Sequence, residues 1–134
     1  METKHLPLLT TVLSFCGLFT LLSVALFAAD GGDKIPAEHG DIQIVPINHA
    51  TFAMEWNGKR ILVDPVGGEQ KIRAKVTGSA DLILVTDIHG DHMNADTLKA
   101  VAHGNAKIIA PEAVASQLPA ELKSKITVLA NGAK

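Results

Sequence analysis

The chain has 134 residues, a formal net charge of −2 at pH 7, 47% hydrophobic and 4% aromatic residues, and no tyrosine. That length holds one ordinary domain and no more. Near-balanced charge, no Lys/Arg run and few aromatic rings exclude a phosphate-tracking surface or a base-stacking platform, so nucleic acid is not an expected partner.

From Leu6 to Ala29 no side chain is charged. A short head with Lys4 and His5 precedes this run, and Asp30-Gly31-Gly32-Asp33-Lys34 follows it. A positive head, an apolar run and small residues at the exit describe a secretory signal peptide over residues 1–29, cleaved after Ala28 or Ala29. The run is also long enough to span a bilayer as an uncleaved anchor. On the first reading the mature protein is periplasmic or secreted. On the second it is membrane-anchored, and the leader is its only membrane contact. The single cysteine, Cys16, is a small apolar residue inside this leader. The remainder can form no disulfide and must bind any metal through His and carboxylate.

Residues 30–40, polar and Gly-rich with Pro36, read as a linker, with order expected to begin at Asp41. Ile42, Ile44 and Pro46 alternate with Gln43, Val45 and Ile47, as in a strand. Thr51 to Trp56 repeats the pattern, with Phe52, Met54 and Trp56 on one face. Asn57-Gly58 tolerates positive φ at both positions and predicts a tight hairpin into Arg60–Asp64, stopped by Pro65. Residues 66–80 form a loop with room for a short helical turn. Asp81–Val85 is a continuous apolar run of the kind buried on both faces. Asn94 or Asp96 can cap a helix carrying Leu98, Val101 and Ala102 that ends at Gly104. Lys107–Ala110 is another strand, Pro111 suits the start of a helix through Leu118, and Ile126–Leu129 is a last strand. Antiparallel strands followed by strand–helix alternation indicate an α/β (α+β) mixed sheet, with too few helices to cover both faces.

The chemistry concentrates in Thr86-Asp87-Ile88-His89-Gly90-Asp91-His92, directly after strand 81–85. Two imidazoles and two carboxylates fall within six residues at the carboxyl end of a strand, where α/β folds place their sites. Asp87, His89 and Asp91 alternate and can project to one side of extended chain. Gly90 would permit the bend that brings His92 round. Clustered carboxylates repel one another, and a divalent cation removes that cost. The donor types suit zinc, and also manganese or ferrous iron. Asp87, His89, Asp91 and His92 are therefore the candidate metal ligands. Otherwise the segment is a solvated turn before a helix.

This stretch resembles the Thr-His-x-His-x-Asp-His signature of the metallo-β-lactamase superfamily, with Asp87 in place of the first histidine. Asn48-His49-Ala50-Thr51-Phe52 and Ile61-Leu62-Val63-Asp64-Pro65 resemble the opening strands of its ascorbate-6-phosphate lactonase-like branch. The likeness covers most of residues 41–131. The resemblance implies half of an αββα sandwich, with the N-terminal part of the domain at residues 41–134. It makes His89 and His92 ligands of a first metal. Asp91 becomes a ligand of a second metal, or the catalytic residue that orients the attacking water. His49 becomes a substrate-binding or auxiliary residue, and Asp64 a brace beneath the site. It implies a metal-dependent hydrolase of ester, lactone or phosphoester substrates. A metal-binding or interaction module without turnover is the alternative that Asp87 favours. The family's second half supplies a further His, a bridging Asp and a final His. No histidine follows His103 and no aspartate follows Asp96, so a truncated chain is expected. An uncovered apolar sheet face then predicts association.

Overall fold

The computed structural model describes residues 32–133; the leader expected over residues 1–29 lies outside them. The strands are β1 (Asp33–Ile35), β2 (Ile42–Asn48), β3 (Thr51–Trp56), β4 (Lys59–Val63), β5 (Leu82–Leu84), β6 (Lys107–Ala110) and β7 (Ile126–Val128). The helices are α1 (Glu69–Arg73), α2 (Ala95–Val101), α3 (Glu112–Gln117) and α4 (Ala120–Lys123).

One seven-stranded sheet runs in chain order from β1 to β7. Its first half is antiparallel: β1 to β4 pair as successive neighbours. The β3–β4 turn is the Asn57-Gly58 dipeptide, with φ of 46° and 71°, the left-handed pair that matches the twist of flanking strands. From β4 onward the pairing is parallel. Each parallel step needs a crossover, and crossovers of one hand advancing in one direction deliver their helices to the same face. Helices α1, α2 and the α3–α4 pair fill those crossovers in turn. The family-like mixed sheet with helices on one face is what the structure shows.

The strand register aligns Val45, Ala53, Leu62, Ile83, Ile108 and Ile126 in one row. This row packs with Ile72, Leu98, Val114 and Leu122 from the helices to make the core. The opposite face carries Ile44, Met54, Ile61 and Leu82 in one row and Phe52, Val63, Leu84 and Ile109 in the next, and none of the helices among the described residues crosses it. All of these except the buried Val63 are only half-buried. The expectation that strand 81–85 is covered on both faces is thus corrected: Ile83 is fully buried, whereas Leu82 and Leu84 are not.

Three further differences have local causes. Asp33–Ile35, expected within the linker, is an edge strand held by its pairing to β2, which no side-chain periodicity announces. Helix α4, a single turn after Pro119, is too short to show a period. Helix α2 ends at Val101, short of Gly104, which lies beyond it at φ 55°. Its capping residue is Asn94, whose Oδ1 accepts from the Thr97 backbone N–H at 2.8 Å. The Thr97 hydroxyl accepts from Gly68 N at 3.0 Å, and so ties the start of α2 to the loop leaving β4.

Candidate metal centre

Strand β4 ends in Asp64, which is 3% exposed and stands at φ 45°. This left-handed conformation is uncommon outside glycine, asparagine and aspartate. The surroundings over-determine it. The Asp64 backbone N–H donates to Leu84 O at 2.8 Å, and the hydroxyl of buried Thr51 donates to Asp64 O at 2.5 Å. That hydroxyl also accepts from Val66 N at 3.2 Å. The carboxylate is thereby turned under the end of β5. Its Oδ1 accepts from Thr86 N at 2.7 Å, and its Oδ2 accepts from the Thr86 hydroxyl at 2.7 Å and from His92 Nδ1 at 2.9 Å.

That last contact fixes a tautomer. A carboxylate only accepts, so Nδ1 of His92 carries the proton and Nε2 of the neutral ring holds the lone pair. The same logic applies three residues earlier, where Asp87 Oδ1 accepts from His89 N at 3.0 Å and is paired with His89 Nδ1. Both imidazoles therefore offer Nε2 as their free donor atom. Metal-binding histidines are commonly held this way, with the second nitrogen on a carboxylate.

The bend that gathers these groups is closed by backbone bonds from His92 N and Met93 N to His89 O, at 2.9 and 2.8 Å. Gly90 is not among the positive-φ glycines, so its permissiveness is not what makes the turn. His92 Nε2 stands 3.7 Å from Asp91 Oδ2.

The acidic and ring groups of this loop and Asp64 perturb one another. The His92 pKa is raised above its usual 6.5, first by its hydrogen bond to Asp64 and further by the charges of Asp64, Asp91 and Asp87, with desolvation opposing. The Asp87 pKa is lowered, first by the His89 backbone N–H and then by the His89 ring. The sign follows. Protonated His92 paired with Asp64 stabilises the metal-free fold fully below pH 6.5, and that contribution fades as pH rises through the raised pKa. A cation must displace the proton at Nε2, so affinity for metal weakens as pH falls below the same point. An NMR titration of the His92 ring in metal-free protein is expected to give a midpoint above 6.5, and Asp91→Asn is expected to lower it.

The candidate ligands come together as two pairs, Asp87 with His89 and Asp91 with His92. Among the described residues no three His, Cys, Asp or Glu side chains converge as a preformed metal cluster. Within these pairs Asp87 is hydrogen-bonded to His89, whereas Asp91 only stands 3.7 Å from the His92 ring that Asp64 holds. The donors present nevertheless fit a divalent cation in kind, because Nε2 of both rings and the Asp91 carboxylate are uncommitted to backbone. His49 lies exposed at φ 47° in the β2–β3 turn, at the end of the sheet where β4 and β5 also finish. Sequence reasoning missed Thr51 and Thr86, whose hydroxyls bind Asp64 across 13 and 22 residues. Nothing local signals such pairings.

Fold and loop together define a class. The beta-lactamase superfamily domain matches residues 43–133, and the chain belongs to that family. Among its relatives, a metal-dependent hydrolase of Thermococcus kodakarensis is 37% identical over 79 residues, 58% of this chain and 34% of that protein. One from a Geobacillus species is 39% identical over 72 residues, 52% and 31% of the respective chains. A crystal structure from Parabacteroides distasonis, provisionally described as a metal-dependent hydrolase, superimposes with a TM-score of 0.61 at 29% identity, over 76% of this chain and 44% of that one. The chain spans about a third of the length of these curated relatives.

Proposed function

We propose that this protein contributes the metal-binding half of a metal-dependent hydrolase acting on an ester, lactone or phosphoester. The observation that carries the reading is the pair of imidazoles whose Nδ1 atoms are held by Asp64 and Asp87, leaving Nε2 of each for a cation. His89 and His92 would bind through Nε2 and Asp91 through its carboxylate. Asp87 would hold His89 with one oxygen and keep the other as a further donor. Zinc suits this set, with manganese or ferrous iron as alternatives. A bound cation supplies a water of lowered pKa and polarises the substrate oxygen. Around it, Asp64 would fix the His92 ring, Asp91 would bind a second metal or orient the attacking water, and His49 would face the substrate from the neighbouring turn. Export behind the apolar Leu6–Ala29 run completes the proposal.

The test is turnover of ester, lactone and phosphodiester panels by the full chain with zinc or manganese. Metal-dependent hydrolysis that disappears in His92→Ala supports the reading. One observation favours a second reading, a metal-binding module without chemistry: Asp87, standing where the family signature has histidine, is committed to His89. Stoichiometric metal binding with no turnover on any panel would select it.

A further inference from the structure

We propose that the end of the sheet remote from the 86–92 loop carries a second ligand site, which takes a small organic ammonium ion. Two residues along each strand from the core row, and so on the same helix-covered face, the register aligns Gln43, Glu55 and Arg60. Asp81 continues this row, its backbone N–H donating to Arg60 O at 2.9 Å. Together with Asp41, Trp56 and Lys59 these residues line a cavity of about 260 Å³. That is just under the range of ordinary ligand pockets, so the occupant is small.

The walls are set before any ligand arrives. Arg60 Nε donates to Glu55 Oε1 at 2.7 Å, and Nη1 donates to the carbonyls of Thr77 and Ser79. Gly78 lets the 77–79 turn lie this close. Its φ is 85°, and a Cβ there would meet Arg60 Nη1 at 3.2 Å. Lys59 Nζ closes onto Asp81 Oδ1 at 2.9 Å. Trp56 Nε1 donates to Glu38 O and Gly40 O at 3.1 Å each, which fixes the indole.

The charge of the occupant follows by difference. Both cations of the lining are paired, Arg60 with Glu55 and Lys59 with Asp81. Asp41 is left over, an exposed carboxylate with no hydrogen bond or ion pair among the described residues. A concave site with one net negative charge concentrates its field on a cation. Among the described residues no three His, Cys, Asp or Glu side chains gather as a metal cluster, so these carboxylates do not suit a compact divalent ion. Trp56 suits a diffuse one, because an aromatic wall beside a carboxylate is how proteins hold alkylammonium groups.

Trp56 is the only tryptophan in the sequence, so fluorescence of the full chain reads this site directly. In metal-free protein, choline chloride is expected to give a saturable change with a Kd on the order of 1 mM, in keeping with so small a ligand. Sodium chloride at equal ionic strength, and glycerol, are expected to give none. Asp41→Asn is expected to raise the Kd roughly three- to ten-fold with an unchanged Tm, since that side chain holds up nothing else. In NMR spectra the side-chain amides of Gln43 and Asn57, which also line the cavity, are expected to shift with choline. A response that never saturates, or that sodium chloride or glycerol reproduces, overturns the proposal. So does an unaltered Kd in Asp41→Asn, or amide shifts confined to other parts of the chain. The cavity lies at the far end of the strands from the metal donors, so neither outcome bears on the hydrolase reading.

Discussion

Asp64→Asn is expected to lower affinity for zinc by roughly ten- to a hundred-fold while costing the fold only about 1–2 kcal/mol. The asymmetry comes from a tautomer. In the native protein the carboxylate accepts from Thr86 N through one oxygen, and from the Thr86 hydroxyl and His92 Nδ1 through the other. An asparagine in the same place keeps its carbonyl on Thr86 N and turns its amide toward His92. The ring must then accept at Nδ1, so its proton moves to Nε2 and the metal-directed lone pair is lost. Asparagine also tolerates the left-handed φ of 45°, so backbone strain does not confuse the comparison. Calorimetric zinc titration gives the affinity, and ¹⁵N shifts of the His92 ring report the tautomer directly. Unchanged affinity with a switched tautomer would separate His92 from the metal.

Ile83→Ala is expected to destabilise the protein by about 3–4 kcal/mol, a large part of the 5–15 kcal/mol that holds an ordinary domain together. Ile83 is fully buried at the middle of β5, with Leu62 and Ile108 as its neighbours across the sheet. Both neighbours are strand residues whose backbones are fixed by parallel pairing, so the hole left by three carbons cannot close. The effect reaches the site because Thr86 and the loop follow three residues later. Denaturant unfolding measures the loss. Metal affinity extrapolated to the folded state should stay within a few-fold of wild type, since Ile83 touches no donor. A loss below 1 kcal/mol would mean that the helix-covered face is not the core.

Much of this architecture was legible because its causes are local. Asn57-Gly58 announces the β3–β4 hairpin by conformational freedom at adjacent positions, and Asn94 announces α2 through a side chain that reaches three residues ahead. The apolar run before Thr86 and the density of His and Asp after it put the site at the end of β5 without any structure. What escaped is set by partners far apart in sequence. Asp33–Ile35 is a strand because β2 offers it an edge. Thr51 holds Asp64 from another strand. The role of Asp87 was also hidden. Alternation suggests that it points with His89 and Asp91 toward one cation, whereas the folded loop uses it to bind the ring two residues on. Gly90 invited the inference that glycine makes the bend. Backbone bonds to His89 O make it instead.

The most direct test is X-ray absorption at the zinc edge on the zinc-loaded full chain, read for the scattering pattern of imidazole rings around the metal. Two rings bound through Nε2 with oxygen completing the shell, reduced to one ring in His92→Ala, is the outcome expected here. A shell of oxygen alone, or one unchanged when His89 and His92 are both replaced, would contradict it.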